Sequence, residues 1–189
     1  IEQANDVPPF DLYPFGDNPL SILPEIDRWL KHETWFRKRG IPHRRGYLCH
    51  GPGGTGKSTF VRAVAIRFDL PLYVFDLASL DNQSLIEEWK VVQQGSPAII
   101  LLEDLDCVFD GRTFCADVSK NRDHVTFDCL LNVISGVGSS DGILLFVTTN
   151  VLASIEVLTS FGGTTASDTW AEGQWSDFRG WPSSGAFYE

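Results

Sequence analysis

Residues 51–58 constrain the fold of this 189-residue chain more than any other stretch, because they match the pattern GxxxxGK[ST] between two regular elements. A short β-prone run, residues 46–49, precedes the glycines, and residues 59–68 after them have the apolar spacing of a helix. Glycines allow backbone N–H groups to turn inward around phosphate oxygens, and a helix that begins there adds the positive end of its dipole. The order strand, glycine loop, helix predicts a nucleoside triphosphate site. A glycine-rich turn that arose by chance would not need to lie between a strand and a helix.

Two side chains of the loop add specific chemistry. Lys57 is expected to place its charge against the β- and γ-phosphate oxygens, and the Ser58 hydroxyl is the expected protein ligand of Mg²⁺. The predicted phosphate-binding residues are Gly51, Pro52, Gly53, Gly54, Thr55, Gly56, Lys57, Ser58 and Thr59.

The rest of the chain alternates between strand and helix patterns. The apolar runs predict strands over 71–75, 98–102 and 143–147, and helices over 81–92, with Asp81 as N-cap, and over 128–137. Runs that are apolar throughout are typical of strands buried on both faces of a parallel sheet. We therefore predict an α/β fold with helices on both faces of the sheet. Residues 107–125 indicate an irregular loop, and residues 151–189 show no clear period.

Carboxylates follow the apolar run over 98–102. Glu103 and Asp104 come directly after it, and Asp106 lies two positions further on. A buried strand that delivers acids at its carboxyl end, about 45 residues after a phosphate loop, is typical of the Walker B motif. The usual order in this class is Asp then Glu, so by position Glu103 is predicted to serve Mg²⁺ and Asp104 the attacking water. The shorter Asp104 would then need the water closer, or help from a neighbouring group.

The run over 143–147 continues into Thr148, Thr149 and Asn150. A polar amide at the end of a buried strand can hydrogen-bond the γ-phosphate or the attacking water. Together with the other two motifs, this pattern predicts that Asn150 is a sensor residue.

Several of these segments resemble the AAA ATPases of the mitochondrial Bcs-type chaperone family. They are residues 40–48 (GIPHRRGYL), 99–106 (IILLEDLD), 125–137 (VTFDCLLNVISGV) and 146–150 (FVTTN), and the similarity extends upstream through 18–21 and 31–39. The resemblance covers roughly 15–155. It divides the chain into a lead-in segment (1–40), an AAA+ ATPase core (41–155) and an atypical tail (156–189).

This resemblance implies a P-loop NTPase fold, the AAA+ large subdomain, with a parallel five-stranded sheet in the order 5-1-4-3-2. It also implies that the triphosphate is ATP, that Mg²⁺ is required, that subunits form a homo-oligomeric ring, and that hydrolysis is coupled to remodelling or translocation of a protein client. The inverted Glu-Asp order is also usual in the same family.

The chain also departs from the family pattern. Gly53 stands where a second proline is usual, and Ser135 replaces a common acidic residue. After Ile155, neither the expected Asp-Pro-Ala-Leu nor the Arg-Pro-Gly-Arg segment that supplies an arginine finger is found, and the helical lid is not recognisable. We expect an altered ending over 156–189, such as a shifted reading frame.

Composition narrows the partners. A formal net charge of −10 disfavours nucleic-acid binding through a broad basic face. The arginine and lysine cluster over 37–45 is either a solvated surface or a patch for a neighbouring subunit or anionic partner. No apolar run reaches the ~20 residues of a membrane span. The four cysteines have no zinc spacing and require no oxidising compartment. We expect a reducing compartment such as the cytoplasm, or a mitochondrial location by family resemblance.

Three functions compete on the sequence alone. The first is an ATP-hydrolysing AAA+ remodelling subunit. The second is an ATP-binding module with little or no hydrolysis and a structural or regulatory role, which the missing arginine segment favours. The third, a P-loop kinase acting on a small molecule, is disfavoured by the sensor asparagine and the lack of an evident arginine-rich lid.

Overall fold

The structure, a computed structural model, describes residues 20–110, 113–115, 123–135, 141–150, 168–170 and 173–177. Its helices are α1 (Leu23–Lys31), α2 (Glu33–Lys38), α3 (Lys57–Phe68), α4 (Asn82–Gln94), α5 (Leu105–Val108) and α6 (Phe127–Ser135). Its strands are β1 (Arg44–His50), β2 (Leu72–Phe75), β3 (Ala98–Leu102), β4 (Phe109–Asp110), β5 (Thr113–Phe114), β6 (Ile143–Thr149), β7 (Asp168–Trp170) and β8 (Gly173–Asp177).

The main sheet has the strand order β2-β3-β6-β1-β8-β7. The pairs β2–β3, β3–β6 and β6–β1 are parallel, so the strands predicted as first to fourth lie in the order 1-4-3-2, which confirms the parallel α/β sheet. The position expected for a fifth parallel strand, beside β1, is taken by β8, which pairs with β1 antiparallel and forms a hairpin with β7. Within the described residues, four strands of the sheet are therefore parallel.

Buried side chains form one apolar layer on each face of the sheet, because successive residues of a strand point to opposite sides. Ile100, Leu102, Leu145 and Val147 pack in the layer that includes α4 and α6 residues. Ile99, Leu101, Leu144 and Phe146 pack in the layer that includes residues of α1, α2 and α3. The predicted apolar face of α3, which is Phe60, Val61, Val64 and Ala65, is fully buried there. The prediction of helices on both faces is confirmed.

The lead-in segment is attached to the sheet at His43. The His43 ring stacks on Trp29 of α1 with a centroid distance of 4.1 Å, and its Nε2 lies 2.9 Å from the Trp29 carbonyl oxygen. The His43 backbone N–H also donates to Asp141 Oδ1 at 2.7 Å, just before β6. Residues 20–40 thus pack directly against the predicted core.

The basic cluster over 37–45 is largely engaged within the domain. Arg45 pairs with Glu25 at 2.7 Å, Arg44 donates to the Ile134 carbonyl oxygen at 2.9 Å, and Arg37 pairs with Glu33 at 2.8 Å. Arg39 lies over the Trp35 ring at 4.2 Å. These contacts favour a structural role for the cluster over an anion-binding patch.

Most element boundaries differ from the predicted ones by one or two residues, and β3 has the predicted bounds. Asp81 is the N-cap of α4, as predicted, and its Oδ1 accepts a hydrogen bond from the Ser84 backbone N–H at 2.7 Å. The predicted loop over 107–125 contains the end of α5 and the short β4–β5 hairpin. The expectation of an altered ending over 156–189 falls mostly outside the described residues. No helix within the described ranges is long and apolar enough to cross a membrane.

Candidate functional site

The glycine loop lies at the carboxyl end of β1, between that strand and α3. The Gly51 backbone N–H donates to the Thr149 carbonyl oxygen at 3.2 Å, which ties the start of the loop to the end of β6. Because β6 lies between β1 and β3, the loop, residues 148–150 and the acids meet at one edge of the sheet. In open α/β sheets this carboxyl edge is where ligands bind.

The loop enters α3 through Gly56, the N-cap, in the left-handed conformation (φ 86°, ψ 19°). Gly54 is also left-handed, with φ 79°. An L side chain disfavours this conformation, so glycine is required for the path of the chain. Glycine also has no side chain that could cap the first N–H groups of α3, and these donors point out of the helix end. They form the kind of site that binds anions at helix N-termini.

Lys57 is buried, with 7% of its surface exposed. Its Nζ donates to three acceptors, the number that an ammonium group can serve. They are the carbonyl oxygens of Gly51 at 2.9 Å and Pro52 at 3.0 Å, and Asn150 Oδ1 at 2.9 Å. The buried charge is therefore fully hydrogen-bonded, and it lies inside the loop that the sequence predicts to hold phosphate.

The acids follow β3. Glu103 is half-buried and Asp104 is exposed. Asp104 has a left-handed backbone (φ 44°, ψ 54°) and is the N-cap of α5, so the chain turns sharply there. Its backbone N–H donates to Thr148 Oγ1 at 2.9 Å, which joins the turn to β6. Ser58 and Thr59 are half-buried in the first turn of α3.

The Asn150 side chain bridges the loop and the acids. Its Oδ1 accepts from Lys57, and its Nδ2 donates to Asp104 Oδ1 at 3.3 Å. The orientation of the amide follows from chemistry, since an ammonium group only donates and a carboxylate only accepts. An aspartate at position 150 would bring two carboxylates together. The structure thus joins Lys57, Asn150 and Asp104 through two hydrogen bonds.

Asp106, for which the sequence pattern predicts no role, also belongs to this network. Its Oδ1 accepts from Thr149 Oγ1 and from the Asn150 backbone N–H, both at 2.9 Å. The available signal was an acid shortly after the predicted Walker B strand, together with two threonines before the predicted sensor asparagine. That pattern becomes informative only when β3 and β6 are known to be neighbours.

Two groups at the end of β1 are affected by burial and by Lys57. Burial lowers the pKa of His50, and the nearby Lys57 charge lowers it further, so His50 is neutral at pH 7. Burial raises the pKa of the Cys49 thiol well above its ordinary value, against a smaller opposing effect of Lys57. Neither His50 nor Cys49 therefore adds a charge to the site at neutral pH.

The site also has the donors that Mg²⁺ prefers. Hydroxyl and carboxylate oxygens are hard ligands, and Mg²⁺ is held in proteins by one or two carboxylates together with phosphate oxygens. Ser58 and Glu103, both half-buried, supply such oxygens beside the loop and after β3. The residue types present fit this ion.

Comparison with known proteins agrees with this geometry. Residues 47–160 match the family described as "ATPase family associated with various cellular activities (AAA)". The chain is 38% identical over 129 residues to the probable mitochondrial chaperone bcs1 of Schizosaccharomyces pombe, covering 68% of this chain and 28% of that protein. It is 34% identical over 134 residues to the human mitochondrial chaperone BCS1, covering 68% of this chain and 32% of the relative.

A third relative, the probable mitochondrial chaperone BCS1-B of Dictyostelium discoideum, is 34% identical over 163 residues, which covers 71% of this chain and 35% of the relative. The chain thus spans about a third of the length of these relatives. The matched residues include the second half of β1, the glycine loop, the acids after β3 and the whole of β6. From the fold, the site and these similarities together, the chain belongs to the AAA family of ATPases.

Proposed function

We propose that this chain binds ATP with Mg²⁺ and hydrolyses it, as the ATPase module of a protein-remodelling assembly. The observation that carries the proposal is the hydrogen-bonded path from Lys57 through the Asn150 amide to Asp104. It links the group predicted to hold the β- and γ-phosphates to the acid predicted to act on the attacking water.

In this proposal the loop and the start of α3 bind the phosphates through backbone N–H groups. Lys57 exchanges its bonds to the Gly51 and Pro52 carbonyl oxygens for bonds to phosphate oxygens, which carry more negative charge and accept more strongly. Because Lys57 is already held in the loop, little side-chain entropy is lost when phosphate binds.

Ser58 and Glu103 would hold Mg²⁺, which supplies positive charge to the β- and γ-phosphate oxygens. Asp104 orients and polarises the attacking water, and Asn150 hydrogen-bonds the water or the γ-phosphate. The Asn150 amide lies 3.3 Å from Asp104, so it can hold the shorter carboxylate in position.

A second candidate is an ATP-binding module with little turnover. One observation favours it: residues 151–189 contain a single arginine, Arg179, and no Arg-Pro-Gly-Arg segment. An arginine from a neighbouring subunit contributes about 10³–10⁵ in rate in NTPases that use one.

The wider biology is proposed from similarity. The relatives are named mitochondrial chaperones, which supports a protein client and a mitochondrial location, with the cytoplasm as the alternative. Membership of the AAA family supports a homo-oligomeric ring. The same similarity supports ATP over GTP.

The test is nucleotide binding and turnover by the purified chain, beside Lys57→Ala and Asp104→Ala. Glu88→Ala is the matched control, because Glu88 is an exposed acid on α4, away from the glycine loop. Hydrolysis requires Mg²⁺-dependent phosphate release that both site variants abolish and the control retains. Binding that depends on Lys57, without turnover, would select the second candidate. If the unmodified chain binds no nucleotide, both candidate functions are refuted. The molecular mass of the chain in solution with ATP tests whether it forms a ring.

A further inference from the structure

We propose that Asp106 is a positioning residue that sets Asn150 for the recognition of a γ-phosphate. The proposal rests on the function proposed above and goes further, because it assigns the discrimination between ATP and ADP to a group that does not touch nucleotide. It begins from the observation that one carboxylate oxygen, Asp106 Oδ1, receives both the Thr149 hydroxyl and the Asn150 backbone N–H.

These bonds lie just beyond the end of the strand pairing between β3 and β6, where no ladder hydrogen bond to β3 fixes Asn150. The ladder between β3 and β6 ends with Leu102 opposite Val147, and β6 itself ends at Thr149. Asn150 is therefore the first residue beyond the strand. Its backbone N–H is held by the Asp106 carboxylate in place of a neighbouring strand.

Side-chain bonds continue the connection between the two strands past the end of the ladder. The Asp104 N–H donates to Thr148 Oγ1 in one direction, and the Thr149 hydroxyl and Asn150 N–H donate to Asp106 in the other. Both acids lie at the start of α5, a helix of a single turn. The Asn150 backbone is thus held by the same turn that carries Asp104, the predicted catalytic acid.

The Asn150 side chain depends on this anchor, because its amide must satisfy two partners at once. Lys57 donates to its oxygen at 2.9 Å, and Asp104 accepts from its nitrogen at 3.3 Å. A shift of the backbone at residue 150 would lengthen at least one of these bonds. Such a shift should weaken the binding of nucleotides that carry a γ-phosphate and leave ADP binding largely unchanged, because in this proposal the loop and Lys57 bind the β-phosphate of both ADP and ATP.

The experiment compares Asp106→Ala, Asp106→Asn and the control Glu88→Ala by titration of the full chain with Mg-ADP and with the slowly hydrolysed analogue Mg-ATPγS. For Asp106→Ala we expect ATPγS to bind about tenfold more weakly, as for the loss of a hydrogen bond to a charged group. ADP affinity should change by less than about twofold. Asp106→Asn keeps an oxygen acceptor without the charge, so we expect a loss of about threefold for ATPγS alone.

The ratio of the two dissociation constants separates positioning from a general structural effect. If both nucleotides weaken equally in either variant, or if neither changes, the proposal is overturned. Should Asp106→Ala fail to fold, Asp106→Asn has the same shape and carries the test. If the unmodified chain binds neither nucleotide, the proposed function fails. Normal binding of both by the unmodified chain, with an unaltered ratio in the variants, overturns the role of Asp106 alone.

Discussion

Replacement of Gly56 by alanine tests whether the left-handed turn into α3 is needed for nucleotide binding. An added Cβ at Gly56 would have no atom within 4 Å, so packing contributes nothing to the cost. The cost is that of φ 86° for an L residue, about 1–2 kcal/mol. Alanine recovers about 0.4–1 kcal/mol because its unfolded chain has less conformational freedom. The expected net loss is about 1 kcal/mol.

This loss can enter in two ways, and both are measurable. If the loop keeps its conformation in Gly56→Ala, the free energy of unfolding falls by about 1 kcal/mol and the affinity for Mg-ATP is unchanged. If the free loop relaxes instead, stability is retained and ATP binding must restore the strained turn. Affinity then falls about 5- to 30-fold, since 1.4 kcal/mol corresponds to a factor of ten. In saturating ATP, urea unfolding reports the net loss in either case.

Gly53→Ala is the matched control in the same loop. Gly53 is outside the left-handed region, and its added Cβ would lie 4.0 Å from Asn150 Oδ1, an ordinary contact. We expect Gly53→Ala, which keeps the backbone N–H groups of the loop, to leave the free energy of unfolding unchanged or slightly higher. The reasoning is refuted if the two variants have the same unfolding free energy in saturating ATP.

Two further predictions concern stability. Asp81→Ala removes the side-chain acceptor for the Ser84 N–H and should lower the free energy of unfolding by about 1 kcal/mol, measured in urea with Asp123→Ala as the exposed-acid control; an equal loss in both variants would contradict the capping role. Burial raises the pKa of the Cys49 thiol well above its ordinary value of 9.0, so the thiol stays neutral in the folded protein when it ionises in the unfolded chain. The contribution of Cys49 to the free energy of unfolding is therefore complete below pH 9 and is lost as the pH rises further. Above pH 9 the unmodified chain should therefore lose stability relative to Cys49→Ala, by up to about 1.4 kcal/mol of unfolding free energy per pH unit. If the unfolding free energies of the two proteins change with pH in parallel, this prediction is wrong.

Features that depend on local pattern could be predicted from the sequence. The β3 run is apolar at every position because both faces of that strand are buried, and this made its bounds readable. Asp81 could be identified as a cap because capping involves a residue and its neighbour three positions later. The glycine loop has the same local character.

Features that depend on distant pairing were missed. The role of Asp106 requires β3 and β6 to be neighbours and the chain to turn at Asp104, and neither fact is contained in residues 103–106. The β7–β8 hairpin was also missed, because residues 151–189 have no regular period and strand pairing there is set by contact with β1. Short elements without their own apolar period are stabilised by tertiary contacts, which a local pattern does not record.

The inverted order of the acids after β3 can be understood from the backbone. Position 104 is left-handed, a conformation that aspartate tolerates better than most residues because its short polar side chain can bond locally. With the order reversed, a glutamate would occupy that turn at a higher conformational cost. The order Glu103-Asp104 therefore matches the sharp entry into α5. The remaining difficulty, the shorter reach of Asp104, is reduced by Asn150, whose amide donates to it at 3.3 Å and is itself held through the Asp106 carboxylate. The turn that favours aspartate at 104 thus also supplies, at 106, the anchor for the residue that supports it.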